Sequence, residues 1–467
     1  MDLLKKFSPV IVAILIALIP TPEGLQADAW YFLSIFIGVV VGLIVEPVPA
    51  ALVGLIGVST VAMLGLVAPG ATANRNWALS GFSNGVIWLI FSAFMFALGY
   101  QKTGLGKRIS LLLIRYLGKN TLGLGYAVAF SDLILSPFMP SNTARSAGTI
   151  YPVASNIPPM FGSYPDNEPR KMGAYLTWVA FASTCVTSSM FLTALAPNLL
   201  AVDMFAQGTG HTIQWGEWAK TMIPVMLPLF IITPWLAFVI YPPTQKHSPE
   251  APKWAAQELL EMGSISRKEL MMLGYAVVAL FFWIFGKEIG VNGTVAAVFV
   301  LSLMVLSGII TWEDVIRNKG AWNVLVWFAT LVSMASGLKK TGILKWIGDL
   351  VSIYLQGLPP GTVAILLIVL FFVLHYFFAS TTAHTTALLP LFIAIASPMI
   401  SPEIMPKLTL MLAASLGVMG IITPYATGPA PIWYGAGFIS QARWWALGGI
   451  FGLIYLGSMI VATIFYI

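Results

Sequence analysis

Charge in this chain is confined to short links between long apolar runs, and no other feature of the sequence limits its fold so severely. A soluble protein of 467 residues alternates charged and apolar helix faces, and an average soluble domain carries about 25% charged residues. Here 9% of residues are charged and 58% are hydrophobic, which leaves too little charge to cover a surface in water. The chain reads as an all-α polytopic membrane protein with the lipid bilayer as its surroundings.

The basic residues fit that class. Lys5 and Lys6, Lys107 and Arg108, Arg267 and Lys268, and Lys339 and Lys340 lie in links, where they fix membrane orientation. The formal net charge of +6 therefore signals no nucleic-acid partner. Lys5 and Lys6 precede a short apolar run, but Pro20-Thr21-Pro22-Glu23 stands where a small-residue cleavage site would be. The first span is expected to persist, with the N-terminus cytoplasmic and the chain in the inner (plasma) membrane. Cys185 is the single cysteine and forms no internal disulfide.

Apolar runs near or below the about 20 residues that cross a bilayer recur from 7–19 to 223–241 and again from 270–285 to 445–466. Between them, 242–269 is the longest polar stretch and reads as a cytoplasmic linker with a short amphipathic helix around 254–262. The expected organisation is an N-terminal span (1–24), a first repeat (25–241), the linker, and a second repeat (270–467).

The duplication is visible in three places. Gly99, Lys102, Thr103 and Gly104 match Gly337, Lys340, Thr341 and Gly342 at one offset. Ser141-Asn142-Thr143-Ala144-Arg145 matches Ser380-Thr381-Thr382-Ala383-His384 at almost the same offset, and Ala196-Pro197-Asn198 pairs with Thr427-Gly428-Pro429. An odd number of crossings in each half would invert the copies across the membrane.

The polar islands around Ser141 and Ser380 are costly in a membrane and mark a site built from two halves. Pro137 and Pro140 forbid a continuous helix before Ser141, so the chain is expected to enter, break and resume as a helix at Thr143, forming a re-entrant hairpin around 122–160. The second hairpin is expected around 362–400. Free N–H groups at the new helix starts, with small hydroxyls, favour a carboxylate. Further breaks at Thr193–Asn198 and Thr423–Pro431 are the kind of unwound backbone tolerated at membrane depth only inside protein or along a cavity. Arg145 and His384 set the sign of the ligand. Asp132 is the one acid in the first hairpin region and a candidate partner for Arg145; the other reading leaves Arg145 and His384 to balance an anion that comes and goes. His375 reads as a packing histidine.

The run PSNTARSAGTIYP, with STTAHTTALLP in the second half, resembles the divalent anion/sodium symporter family. It is similar to the exchanger branch, which includes bacterial citrate/succinate and tartrate/succinate antiporters and plastid 2-oxoglutarate/malate translocators. The resemblance implies a homodimer with about eleven transmembrane helices and two re-entrant hairpins. It also implies two inverted repeats, scaffold and transport domains, an elevator-type movement and di- or tricarboxylate substrates. It assigns substrate binding to Ser141, Asn142, Thr143, Ser380, Thr381, Thr382, Asn198 and Thr427. In the sodium symporters of the family a small neutral residue stands where this chain has Arg145 and His384, so these two are assigned as countercharge in place of sodium. Covalently attached charges cannot be released, and moving one uncompensated through low dielectric costs several kcal/mol. Each 1.4 kcal/mol slows a step about tenfold. Sodium-independent antiport of 2-oxoglutarate, malate, succinate, citrate or tartrate is the expectation, with a sodium-coupled dicarboxylate symporter as the alternative. No cofactor and no metal are called for.

Enzymatic readings fit less well. Paired aspartates for prenyl transfer and HExxH are absent. Ser380 and His384 have i,i+4 spacing, but a duplicated Thr-rich island is no setting for a nucleophile. Gly99 and Gly104 have P-loop spacing without the Gly-Lys that follows. A channel is the remaining transport alternative, and the doubled hairpins suit alternating access better.

Overall fold

The computed structural model describes residues 2–355 and 357–467. Every element among them is helical apart from one isolated bridge between Asn120 and His247. The first half opens with α1 (Asp2–Ala17), α2 (Ala27–Val45), α3 (Ala50–Leu64), α4 (Ala71–Leu79), α5 (Gly85–Thr103) and α6 (Leu105–Leu117). It continues through α7 (Thr121–Leu135), α8 (Tyr151–Ala154), α9 (Ile157–Met160), α10 (Gly173–Met190), α11 (Ala196–Thr209) and α12 (Trp215–Ile240). The linker carries α13 (Glu250–Glu261), close to the helix expected at 254–262. The second half runs α14 (Arg267–Phe285), α15 (Gly293–Leu306), α16 (Trp312–Arg317), α17 (Lys319–Lys340), α18 (Ile343–Leu355) and α19 (Pro360–Leu374). It ends with α20 (Thr381–Ala396), α21 (Met405–Val418), α22 (Ala430–Gly435) and α23 (Gln441–Tyr466).

Elements of the first half recur in order in the second, down to single contacts. Gly104 and Gly342 both turn the chain with positive φ, 78° and 79°, where a side chain would be strained. Thr103 Oγ1 donates to the Gly99 carbonyl at 2.8 Å, and Thr341 Oγ1 donates to that of Gly337 at 2.9 Å. The duplicated Gly-Thr-Gly signal is thus a helix end: the threonine satisfies a carbonyl one turn back and the glycine redirects the chain. Packing is exchanged between the halves, with α3 against α17 and α15 against α5.

Eight helical stretches among the described residues are long and apolar enough to cross a membrane, and five shorter apolar helices accompany them. The middle of the molecule belongs instead to α10, all of whose residues are buried. It crosses α21 so closely at Gly417 that an added Cβ would lie 2.6 Å from the Ser189 nitrogen. Small residues allow such backbone approach between membrane helices.

One pairing differs from the sequence expectation. The two interrupted helices restart at Ala196 and at Ala430, each with proline in its first turn, so the structural counterpart of Ala196-Pro197 is Ala430-Pro431 and not Thr427-Gly428. The break in the second half is correspondingly longer.

Candidate functional site

Each hairpin breaks in the same manner. After α7, a single 3-10 turn (Ser136–Phe138) leads to Met139 and Pro140, and the chain resumes as a π-helix, Thr143–Ile150, that runs into α8. After α19, a 3-10 turn (His375–Phe377) leads to Phe378 and Ala379 before α20 begins. Ser141 Oγ accepts from the Ala144 amide at 3.2 Å, and Ser380 Oγ accepts from that of Ala383 at 3.3 Å. The leading serine of each island is therefore the cap of the returning helix. The next N–H groups of each helix have no acceptor within it. The copies differ in winding. Thr149 Oγ1 donates to the carbonyl of Ala144, five residues back, as π-winding allows, whereas Thr385 and Thr386 donate four residues back, to Thr381 and Thr382.

The two tips share one cavity of about 190 Å³, lined by Ser141, Asn142, Thr143, Ser380, Thr381, Thr382, Gly428 and the restart at Leu195–Pro197. Its other wall is Phe94 from α5 and Val324, Trp327 and Phe328 from α17. Asn142 Nδ2 donates to Thr427 Oγ1 at 2.8 Å, which joins the first tip to the second break. Beside it, a Cβ on Gly428 would fall 1.8 Å from Thr143 Oγ1, so only glycine lets this tip and this break touch.

Four of the residues singled out from the sequence do not line this cavity. Thr427 reaches it only through Asn142. Asn198 is fully buried and donates to the carbonyls of Ser188 and Phe191 at 2.8 and 3.3 Å. Arg145 is fully buried behind the first tip, where its Nε meets Asp132 Oδ2 at 3.0 Å. Its Nη1 donates to the carbonyls of Met139 and Ala194 at 2.8 Å each, and its Nη2 reaches the hydroxyls of Ser188 (3.1 Å), Thr184 and Thr187 (3.4 Å each). The guanidinium thus ties the break of the hairpin to the break of the adjoining helix. Of the two roles open to Arg145, the structure displays the pairing with Asp132, whose carboxylate also accepts from Thr184 and Thr187. His384 is likewise fully buried, enclosed by the rings of Phe371, His375 and Phe378.

The aromatic wall went unnoticed in the sequence, because one Trp-Phe pair among 16 tryptophans and 28 phenylalanines carries no signal of its own. Trp327 is the informative member: its indole Nε1 is shielded from solvent and has no hydrogen-bond partner. The cavity thus combines hydroxyls, an amide and helix-start N–H groups with an aromatic wall, and it contains no acidic side chain. Its lining has no constellation for covalent chemistry.

Comparison with known proteins identifies the family. The family model described as the sodium:sulfate symporter transmembrane region matches residues 1–467. The L-tartrate/succinate antiporter of Shigella sonnei (strain Ss046) is 46% identical over 476 residues, covering 99% of this chain and 97% of that protein. Two solved structures share the fold at low identity. The YdaH transporter of Alcanivorax borkumensis has a TM-score of 0.55 at 15% identity, over 83% of this chain and 86% of its own. MtrF of Neisseria gonorrhoeae has a TM-score of 0.54 at 13% identity, over 100% of this chain and 94% of its own. The chain is a membrane transporter of the divalent anion/sodium symporter family, in the exchanger branch related to tartrate/succinate antiporters.

Proposed function

We propose that the protein exchanges di- or tricarboxylates across the plasma membrane without sodium, acting on anions of the class of succinate, malate, 2-oxoglutarate, tartrate and citrate. The observation that carries this is the meeting of both hydroxyl-rich tips at one cavity, while the guanidinium of Arg145 takes the oxygen cage behind the first tip. Carbonyls of unwound segments are what a coupling sodium ion uses in transporters of this kind. Here they already have a cationic partner that stays with the chain.

Ser141, Asn142, Thr143, Ser380, Thr381 and Thr382, with the helix-start N–H groups, receive the carboxylates. Thr427 completes the site through Asn142, and Asn198 holds the first break from behind. Arg145 and His384 stand in place of sodium. Asp132 compensates Arg145 in this conformation, so the charge of Arg145 alone does not bar an empty return. Strict coupling is therefore what trans-stimulation must measure.

The same proposal takes 25–241 and 270–467 as inverted repeats joined by the cytoplasmic segment 242–269, after an N-terminal span with its start in the cytoplasm. In it, α5 and α17 belong to a dimeric scaffold and the hairpins move with α10, α11, α21 and α22 as an elevator. Counterflow in reconstituted vesicles tests the function. Labelled succinate uptake should require an internal dicarboxylate, be competed by the other acids, and persist when choline replaces sodium. Uptake driven by a sodium gradient would restore the sodium-coupled symporter, and full-rate uptake into empty vesicles would overturn obligatory exchange.

A further inference from the structure

Beside the cavity, the second hairpin holds a polar group that the exchange reading leaves unexplained. His375 and His384 are both fully buried, with ring centroids 5.0 Å apart and planes at 82°. His375 Nε2 lies 2.8 Å from the Ala426 carbonyl. A carbonyl only accepts, so this nitrogen carries the hydrogen and Nδ1 is left with a bare lone pair. That Nδ1 has no partner, and neither has either ring nitrogen of His384. Buried polar atoms are nearly always hydrogen-bonded, so three orphans in two touching rings call for a reason.

The pair is wired to the cavity at both ends. His384 donates its amide to the carbonyl of Ser380 at 3.0 Å, in the first turn of the helix whose Ser380, Thr381 and Thr382 line the cavity. Ala426, the partner of His375, directly precedes Thr427, which holds Asn142, and Gly428, which lines the cavity.

We propose that His375 and His384 form one proton-binding site, filled when a dianion occupies the neighbouring cavity. This goes beyond the assignment of countercharge to His384, and it rests on the carboxylate reading of the cavity. The proton comes from water and adds to the free lone pair of His384. The imidazolium then has two donors. As the rings stand neither nitrogen of His384 reaches His375 Nδ1, so a turn of the ring brings one of them to that lone pair. The positive charge lies a turn away from the bound carboxylates. No bond to carbon forms or breaks. Phe371 and Phe378 close the remaining sides, so the proton is shared within the pair and titrates with it as a unit.

The charged residues on the helices packed against α19 and α20 are Asp28, Asp203, Lys319, Lys339, Lys340, Lys345, Asp349, Lys407 and Arg443. The titratable side chain whose ring packs against His384 is His375. Bound dianion is therefore the missing partner that would draw a proton in.

The test is proton uptake by the purified, full-length protein in weakly buffered detergent near neutral pH, followed with an indicator dye as succinate is added, with binding measured in parallel by calorimetry. Uptake approaching about one proton per bound succinate is expected from a single shared site. In His384→Gln, whatever succinate still binds should do so without that uptake. Binding by the wild type without proton uptake would overturn the proposal and leave the pair as a packing defect. Failure of every carboxylate to bind would instead overturn the carboxylate reading and the proton site with it. The wild-type measurement decides even if the variant does not fold.

Discussion

Arg145 shows how a residue that looks like a free cation in sequence becomes a strut in the fold. Its guanidinium meets six oxygens: Asp132, the carbonyls of Met139 and Ala194, and the hydroxyls of Thr184, Thr187 and Ser188. Removing one partner of a buried ion pair strands the other charge, which costs about 3–5 kcal/mol, whereas removing both can be close to neutral. Asp132→Asn and Arg145→Gln should each destabilise the protein by that amount in detergent, and the double variant by clearly less than their sum. Unfolding free energies that simply add would mean the two residues act independently. Exchange should fall in both single variants, because each loosens the tie between the first tip and the Ala194 break.

At the scale of elements, short helices lock the two halves to each other. Lys102, at the end of α5, pairs with Asp314 in the first turn of α16 at 2.6 Å. The same carboxylate accepts from the Thr311 amide at 2.7 Å in a capping box. The hydrogen bond from Lys102, then those from Thr311, hold the Asp314 carboxyl down at about 2. An unfolded aspartate titrates near about 3.9, so the contribution is complete above about pH 4 and is lost on acidification toward the folded value. Asp314→Asn should lower the melting temperature by a small amount that stays constant from about pH 5 to about pH 9 and shrinks below about pH 4. A difference that grew on acidification would contradict the pairing. The linker does similar work on α6, where Glu258 of α13 holds Lys107 at 2.7 Å and Glu269 of α14 holds Arg108 at 2.6 Å.

For the whole molecule the question is what moves. Asn84, the cap of α5, donates to Asp203 of α11 at 2.8 Å, and Lys339 of α17 reaches the Gln207 carbonyl of α11 at 2.7 Å. These contacts join the proposed scaffold to the proposed mobile part and must break if the hairpins travel with α11. Cysteines at Asn84 and Asp203, in a Cys185→Ala background, should stop exchange when joined by a short thiol cross-linker, with recovery for a long flexible one. A drop of at least about tenfold is expected when an obligatory conformational step is blocked. Unchanged exchange after complete short cross-linking would rule out movement of α11 against α5.

The membrane class, the family and the helix breaks before Ser141 and Ser380 were legible along the chain. Each depends on local chemistry: apolar length, proline breaks, and serine and threonine at helix starts. Contacts across the chain were not legible. Asp132 was only one possible partner for Arg145, and thirteen residues of spacing cannot say whether two side chains on opposite arms of a hairpin meet. Thr427 and Asn142 lie 285 residues apart, and Gly428 is required only because Thr143 presses against it. By itself, then, the sequence determined a membrane bundle of this family with polar, broken segments inside it. Tertiary structure alone decided which of its polar groups face the cavity and which are consumed in holding it together, because burial satisfies each donor with whatever acceptor the packing brings within reach.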